Sequence, residues 1–193
     1  AVDDSGNVHV IYENSGVKYR KRVGATWEAQ REVTGAAVSF DIDTDSHGNP
    51  HVVYDVGNRG DVVYIKDEDG TWSAPIERFT GWYDSGSGTY FHNPQIRIDD
   101  DDFYHLGYNV EGWGGNVSWS NSYVAVTSNA PGASAGSDGF AWQSVRLGKN
   151  RLSVNASGLA EAVYADGSNI YRASISGGAW HQSLIATGSQ ESS

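Results

Sequence analysis

The chain has 193 residues, a formal net charge of −11, and neither cysteine nor methionine. That charge speaks against nucleic acid or an anionic membrane surface as partner, and the missing thiols rule out disulfides and thiolate metal sites. No apolar run approaches the roughly 20 residues a membrane-spanning helix needs, while 24 glycines, 11 tyrosines and 7 tryptophans favour an all-β chain with many turns.

The first predicted strand lies in "DSGNVHVIY" (4–12), where Val8, Val10 and Tyr12 alternate with His9 and Ile11. Period-two alternation bounded by Asp, Ser, Gly and Asn reads as a strand between turns. The same line returns as "DSHGNPHVVY" (45–54), and worn copies follow in "DDFYHLGY" (101–108) and "ASGLAEAVY" (156–164). Aligned on Tyr12, Tyr54, Tyr108 and Tyr164, the copies are spaced by 42, 54 and 56 residues. Gly6, Gly48 and Gly158 stand six residues before the tyrosine, with Asp102 in the third copy; His9, His51 and His105 stand three before it, with Glu161 in the fourth. A second aromatic follows each line (Tyr19, Tyr64, Trp119, Tyr171), then a turn and Trp27, Trp72 or Trp180. Thr34-Gly35, Thr80-Gly81 and Thr187-Gly188 close the units; the third has an expanded turn, with Trp142 as its candidate ending. The second copy predicts four strands, near 38–43, 50–55, 61–66 and 74–79.

Four short strands in a unit of this length is the signature of propeller blades, each needing a neighbour to bury its faces. The expected fold is therefore all-β: β-propeller blades of four antiparallel strands in a single domain. The repeats run approximately 1–36, 37–92, 93–149 and 150–193. The first unit starts at its turn, which predicts that its innermost strand is missing. That favours a partial propeller, completed by residues outside the chain or by a second copy. The lack of any Met, position 1 included, suggests a processed or excerpted chain with no leader to read. The unit "GN-x-H-V-V-Y … Y … G-x-W … TG" resembles the repeats of bacterial sialidase-like propellers of the BNR type. The resemblance implies a secreted or cell-surface bacterial protein acting on or binding glycans. A strict Asp-box is absent: "DEDGTW" (67–72) has the turn and the Trp without the Ser/Asp register.

A residue needed once for chemistry should not occur three times. The repeated His9, His51 and His105 therefore read as structural, bonded to a turn or a neighbouring blade. Asp43 and Asp45, in "DIDTDSHGN", superficially match a calcium loop but miss the full EF-hand pattern. They are weak calcium candidates in a chain otherwise expected to use no cofactor. The segment "WYDSGSGTYFHNPQIR" (82–97), "EGWGGNVSW" (111–119) and the stretch near 121–141 break the repeat and read as loops at one end of the molecule. Trp82, Tyr83, Trp113 and Asn93 are the expected ligand contacts, because aromatic faces pack on pyranose C–H faces and polar side chains bond hydroxyls. His92, Tyr90 and Arg97 form the candidate catalytic set if the chain is an enzyme. His or Tyr would then abstract a proton beside a uronate carboxylate that Arg neutralises, as some sialidase-like propellers do. The arginine triad that the resemblance associates with true sialidases cannot be assembled from the spacing of the nine arginines. The expected partner is a glycan, bound by a lectin, adhesin or accessory module. A polysaccharide lyase or glycoside hydrolase is the second reading and an assembly module the third.

Overall fold

The computed structural model describes residues 1–57, 60–79, 81–84, 86–114, 123–128, 145–146, 151–155, 157, 160–166, 168–176 and 179–188. Among them there is no helix, and all the strand pairings are antiparallel. The first sheet contains β1 (Val8–Glu13), β2 (Val17–Val23), β3 (Thr26–Trp27) and β4 (Arg31–Thr34), with β2 between β1 and the short pair β3 and β4. The second contains β5 (Phe40–Thr44), β6 (Pro50–Val56), β7 (Asp61–Glu68), β8 (Thr71–Trp72) and β9 (Ile76–Phe79), close to the four strands expected there. The third runs β10 (Trp82–Asp84), β11 (Ser87–Ile98), β12 (Tyr104–Gly114), β13 (Tyr123–Ser128) and β14 (Val145–Arg146). The fourth is the meander β15 (Arg151–Val154), β16 (Ala160–Asp166), β17 (Asn169–Ser176) and β18 (Ala179–Thr187).

Two expectations change. The first unit keeps a stub of its innermost strand: Val2 bridges Val8, and the N–H of His9 donates to the Ala1 carbonyl at 3.0 Å. The segment 82–97 is not a loop but the hairpin β10–β11, and β11 runs straight through the 92/93 repeat boundary. Trp119, Trp142 and most of 121–141 lie outside the described residues.

Consecutive sheets pack face to face. Strand β6 shows why the sequence alternates so weakly there, since it is buried on both sides. Val52 and Tyr54, with Val63 and Ile65, face back onto Ile11 and Val33 of the first sheet. Val53, with Val62 and Tyr64, faces forward onto Phe91, Ile96, Tyr104, Leu106 and Tyr108 of the third. Each fully buried Val or Ile in these layers contributes about 1.5–3 kcal/mol. The fourth sheet joins through Leu152, which sits against Gly107; a Cβ on that glycine would lie 3.6 Å from the leucine Cβ. Among the described residues the sheets form a series rather than a closed ring.

The innermost strands are tied by a repeated device. Bare strand edges leave N–H groups unpaired. Here the Asp41 carboxylate on β5 accepts the Ile96 N–H at 3.1 Å, and Asp43 accepts the Ile98 N–H at 2.9 Å. One sheet later Gln95, at the position equivalent to Asp41, accepts the Leu152 N–H at 3.0 Å. Side-chain oxygens of one sheet thus satisfy the edge of the next and set its height.

Candidate functional site

The repeated histidines lie at the centre of a polar network written once per sheet. Asp3 accepts the Asn7 N–H at 2.8 Å and the His9 Nε2–H at 3.0 Å, and the Tyr19 hydroxyl donates to His9 Nδ1 at 2.8 Å. In the second sheet Asp45 accepts the Asn49 N–H at 2.8 Å and the His51 Nε2–H at 3.3 Å, while Tyr64 donates to His51 Nδ1 at 2.7 Å. A carboxylate on one nitrogen and a hydroxyl donor on the other select the neutral Nε2–H tautomer. Burial pushes His9, His51 and His105 down from the usual histidine range, and the facing carboxylate offsets this only in part. Burial pushes Asp3 and Asp45 up, but the bonds from His and Asn outweigh it and both end below the usual carboxylate range. The turn ahead of each His needs a left-handed residue, supplied by Gly6 (φ 77°), Gly48 (φ 76°) and, without glycine, Asp102 (φ 63°).

The later copies change the partners. His105 still donates to Asp99 at 2.8 Å, but among the described residues its buried Nδ1 has no partner. The register explains this. Tyr19 pairs with Ile11 and Tyr64 with Val53, two residues after the histidine, and in the third sheet the residue so paired, opposite Gly107, is Val126. In the fourth sheet it is Arg172, opposite Val163. There Asn155, Glu161 and Arg172 replace Asp, His and Tyr: Asn155 Nδ2 donates to Glu161 at 2.6 Å and Arg172 Nε at 2.9 Å. The second-aromatic alignment thus needs correcting, since Tyr171 pairs with Tyr164 and stacks on it with centroids 5.4 Å apart. The aspartate six residues before each histidine was a repeated signal too, visible as Asp3/His9, Asp45/His51 and Asp99/His105.

The calcium candidates are engaged in this framework. Asp45 belongs to the network, and Asp43 accepts the N–H groups of Thr44 and Ile98, its carboxyl pushed up by burial. Among the described residues no group of three or more His, Asp or Glu side chains gathers as a metal site.

The segment 82–97 stands apart from the repeat. Strands β11 and β12 run past the length of β5 and β6, so Ser87–His92 and the end of β12 form a ribbon with β10. Directly paired residues in an antiparallel ribbon share a face. Tyr83 pairs with Gly88, and Gly88 with Trp113; Tyr90 pairs with Glu111, and His92 with Asn109. Tyr83, Tyr90, His92 and Trp113 therefore occupy one face, with a glycine between the two outer aromatics. Trp82, paired with Thr89, falls on the other face. The register slips by one residue between His92 and Gln95, where Asn93 adopts φ 51°. That bulge puts Gln95 and Arg97 on the Tyr90–His92 face. The Asn93 N–H donates to Ser39 Oγ at 3.1 Å, and the Ser39 hydroxyl donates to buried Asp55 at 2.7 Å. Arg97 donates to Asp41 at 2.7 Å and to its neighbour's carbonyl. The ribbon's base rests on Gly60 (φ 64°), where a Cβ would clash with the Phe91 carbonyl oxygen.

No family model matches the chain, and no curated protein does. Among solved structures, the crystal structure of endo-arabinase from Bacteroides thetaiotaomicron VPI-5482 is similar at 12% identity, covering 99% of this chain and 74% of that one, with a TM-score of 0.46.

Proposed function

We propose that the chain is a carbohydrate-binding module of partial β-propeller architecture, secreted or cell-surface, whose ligand lies on the β10–β11–β12 ribbon. One observation carries this reading: Tyr83, Gly88 and Trp113 are paired in a single row across three adjacent strands. A glycine stands between two aromatic positions in this row, so the middle of the face carries no side chain. Tyr90, His92 and Asn109 continue the same face with hydrogen-bonding groups suited to sugar hydroxyls. Asn93 flanks it from the bulge. Titration of the full chain against neutral and acidic oligosaccharides tests the reading, with Trp113→Ala and Tyr83→Ala each expected to weaken binding at least about tenfold. No binding to any saccharide overturns it.

A second reading is glycan cleavage, and the face shared by Tyr90, His92 and Arg97 favours it. His92 or Tyr90 would act as the base. Arg97 is already held by the Asp41 carboxylate, so its charge is partly answered within the protein. The appearance of new reducing ends or of unsaturated uronate absorbance, abolished by His92→Ala, would establish it. Unchanged turnover in that variant would remove it.

A further inference from the structure

The leading face of the first sheet is built unlike that of the second. In the second sheet this face carries Val52, Tyr54, Val63 and Ile65, all buried against the first sheet. Register equivalents in the first sheet are Val10, Tyr12, Lys18 and Arg20, since Tyr12 pairs with Lys18 and Val10 with Arg20 as Tyr54 pairs with Val63 and Val52 with Ile65. Arg22 and Trp27 likewise stand where Asp67 and Trp72 do. Two apolar positions and one acid have thus become three cations in a chain of net charge −11.

These residues shape a cavity of about 360 Å³ lined by Val10, Tyr12, Arg20 and Trp27. Trp27 is 41% exposed, and the guanidinium carbons of Arg20 and Arg22 lie 5.5 and 5.9 Å from its ring centroid. Arg20 donates through Nε and Nη2 to the Glu28 carbonyl, both at 3.1 Å, which fixes its plane. Lys18 is answered by Glu32 at 3.0 Å, whereas among the described residues neither Arg20 nor Arg22 has a carboxylate partner.

Another sheet of the same kind fits this face poorly. Where the first sheet meets the second, Tyr19 packs edge-on against Trp72 at 5.4 Å. The fourth sheet has Arg172 at the Tyr19 position. Docking its outer face here, from this chain or a second copy, would set Arg172 on Trp27 beside Arg20 and Arg22, three guanidinium groups together, with Glu161 already bonded to Arg172. An anion suits the site instead, and planar guanidinium groups match carboxylates. We infer that this face binds a carboxylated saccharide, its pyranose ring on Trp27 and its carboxylate against Arg20 and Arg22.

The inference rests on the carbohydrate reading above and adds a second site with its ligand class. The test is calorimetry of the full chain with galacturonate oligomers and with neutral galactose oligomers of equal length. The acidic series should bind at least about tenfold tighter, and its affinity should fall as salt rises from about 50 to about 500 mM. Arg20→Gln should lose about tenfold, Arg22→Gln should also lose affinity, and Lys66→Gln on the second sheet should lose none. Melting curves confirm that each variant is folded. Affinity lost with Trp113→Ala but untouched by both arginine variants overturns this site and leaves the ribbon reading standing. No binding to any saccharide overturns both. Self-association abolished by Arg20→Gln, seen by sedimentation, would replace the saccharide with a second copy.

Discussion

At His51 three side chains from three chain segments converge: Asp45 from a turn, the histidine from β6 and Tyr64 from β7. Each removes a buried polar atom's need for water, so deleting one leaves its neighbour unsatisfied. Tyr64→Phe should cost about 1–3 kcal/mol, read as a lower denaturation midpoint; an unchanged midpoint would show that the hydroxyl bond contributes nothing. The network also sets an acid limit. The folded-state values of His9, His51 and His105 are lowered by burial, so the unfolded chain takes up protons first. Stability should be complete above about pH 6.5 and fall as pH drops below it. Asp3 and Asp45, also lowered in the folded state, contribute stability above about pH 3.9 and lose it as pH falls further. Asp43, raised by burial, works in the opposite sense near pH 4, one group against the others. Melting temperatures should therefore hold level from about pH 8 to about pH 6.5 and decline from there to about pH 4; a rise below about pH 6.5 would contradict neutral buried histidines.

Two predictions belong to whole elements. The ribbon stands on the β6–β7 turn, where Gly60 meets the Phe91 backbone. Gly60→Ala adds both a clash with backbone and a side chain at positive φ. It should lower stability by about 2 kcal/mol or more and weaken any ligand held by the ribbon, whereas a variant with wild-type melting would mean the ribbon is seated elsewhere. Asp41 clamps β5 to β11 through the Ile96 N–H and Arg97. Asp41→Ala should cost about 2–3 kcal/mol, with faster amide exchange at Ile96 as the specific readout. Much of this level was legible in the chain. The strands of the second unit, the repeated turn and the structural task of the histidines all follow from alternation and recurrence. The hairpin at 82–97 was not, because Gly, Ser and Pro in that segment are equally at home in a loop, and only pairing with β12 makes it a strand.

Among the described residues, burial is greatest in the middle of the series. The core residues of the second and third sheets are covered on both faces, while Val163, Ile170 and Leu184 of the fourth are 42%, 41% and 54% exposed. Stacked repeats draw stability from their neighbours, so a sheet with one neighbour should open first. Hydrogen exchange should be slowest at Val52, Val53, Ile65 and Leu106 and faster through β17 and β18. Uniform protection across all four sheets would require a cover on the outer faces.

Composition and period-two alternation determined the all-β class, and recurrence determined the structural reading of the histidines, because a feature repeated at a fixed offset must serve what the units share. Tertiary structure decided the rest. Which residue completes each histidine depends on strand register, and register put Val126 and Arg172 where the spacing of aromatics pointed to Trp119 and Tyr171. Which aromatics share a face depends on pairing across β10, β11 and β12, which joined Tyr83 to Trp113 and separated Trp82 from both. Spacing along one strand carries no information about the strand it pairs with; that partner is set by the edges and side chains that meet only when the sheets form.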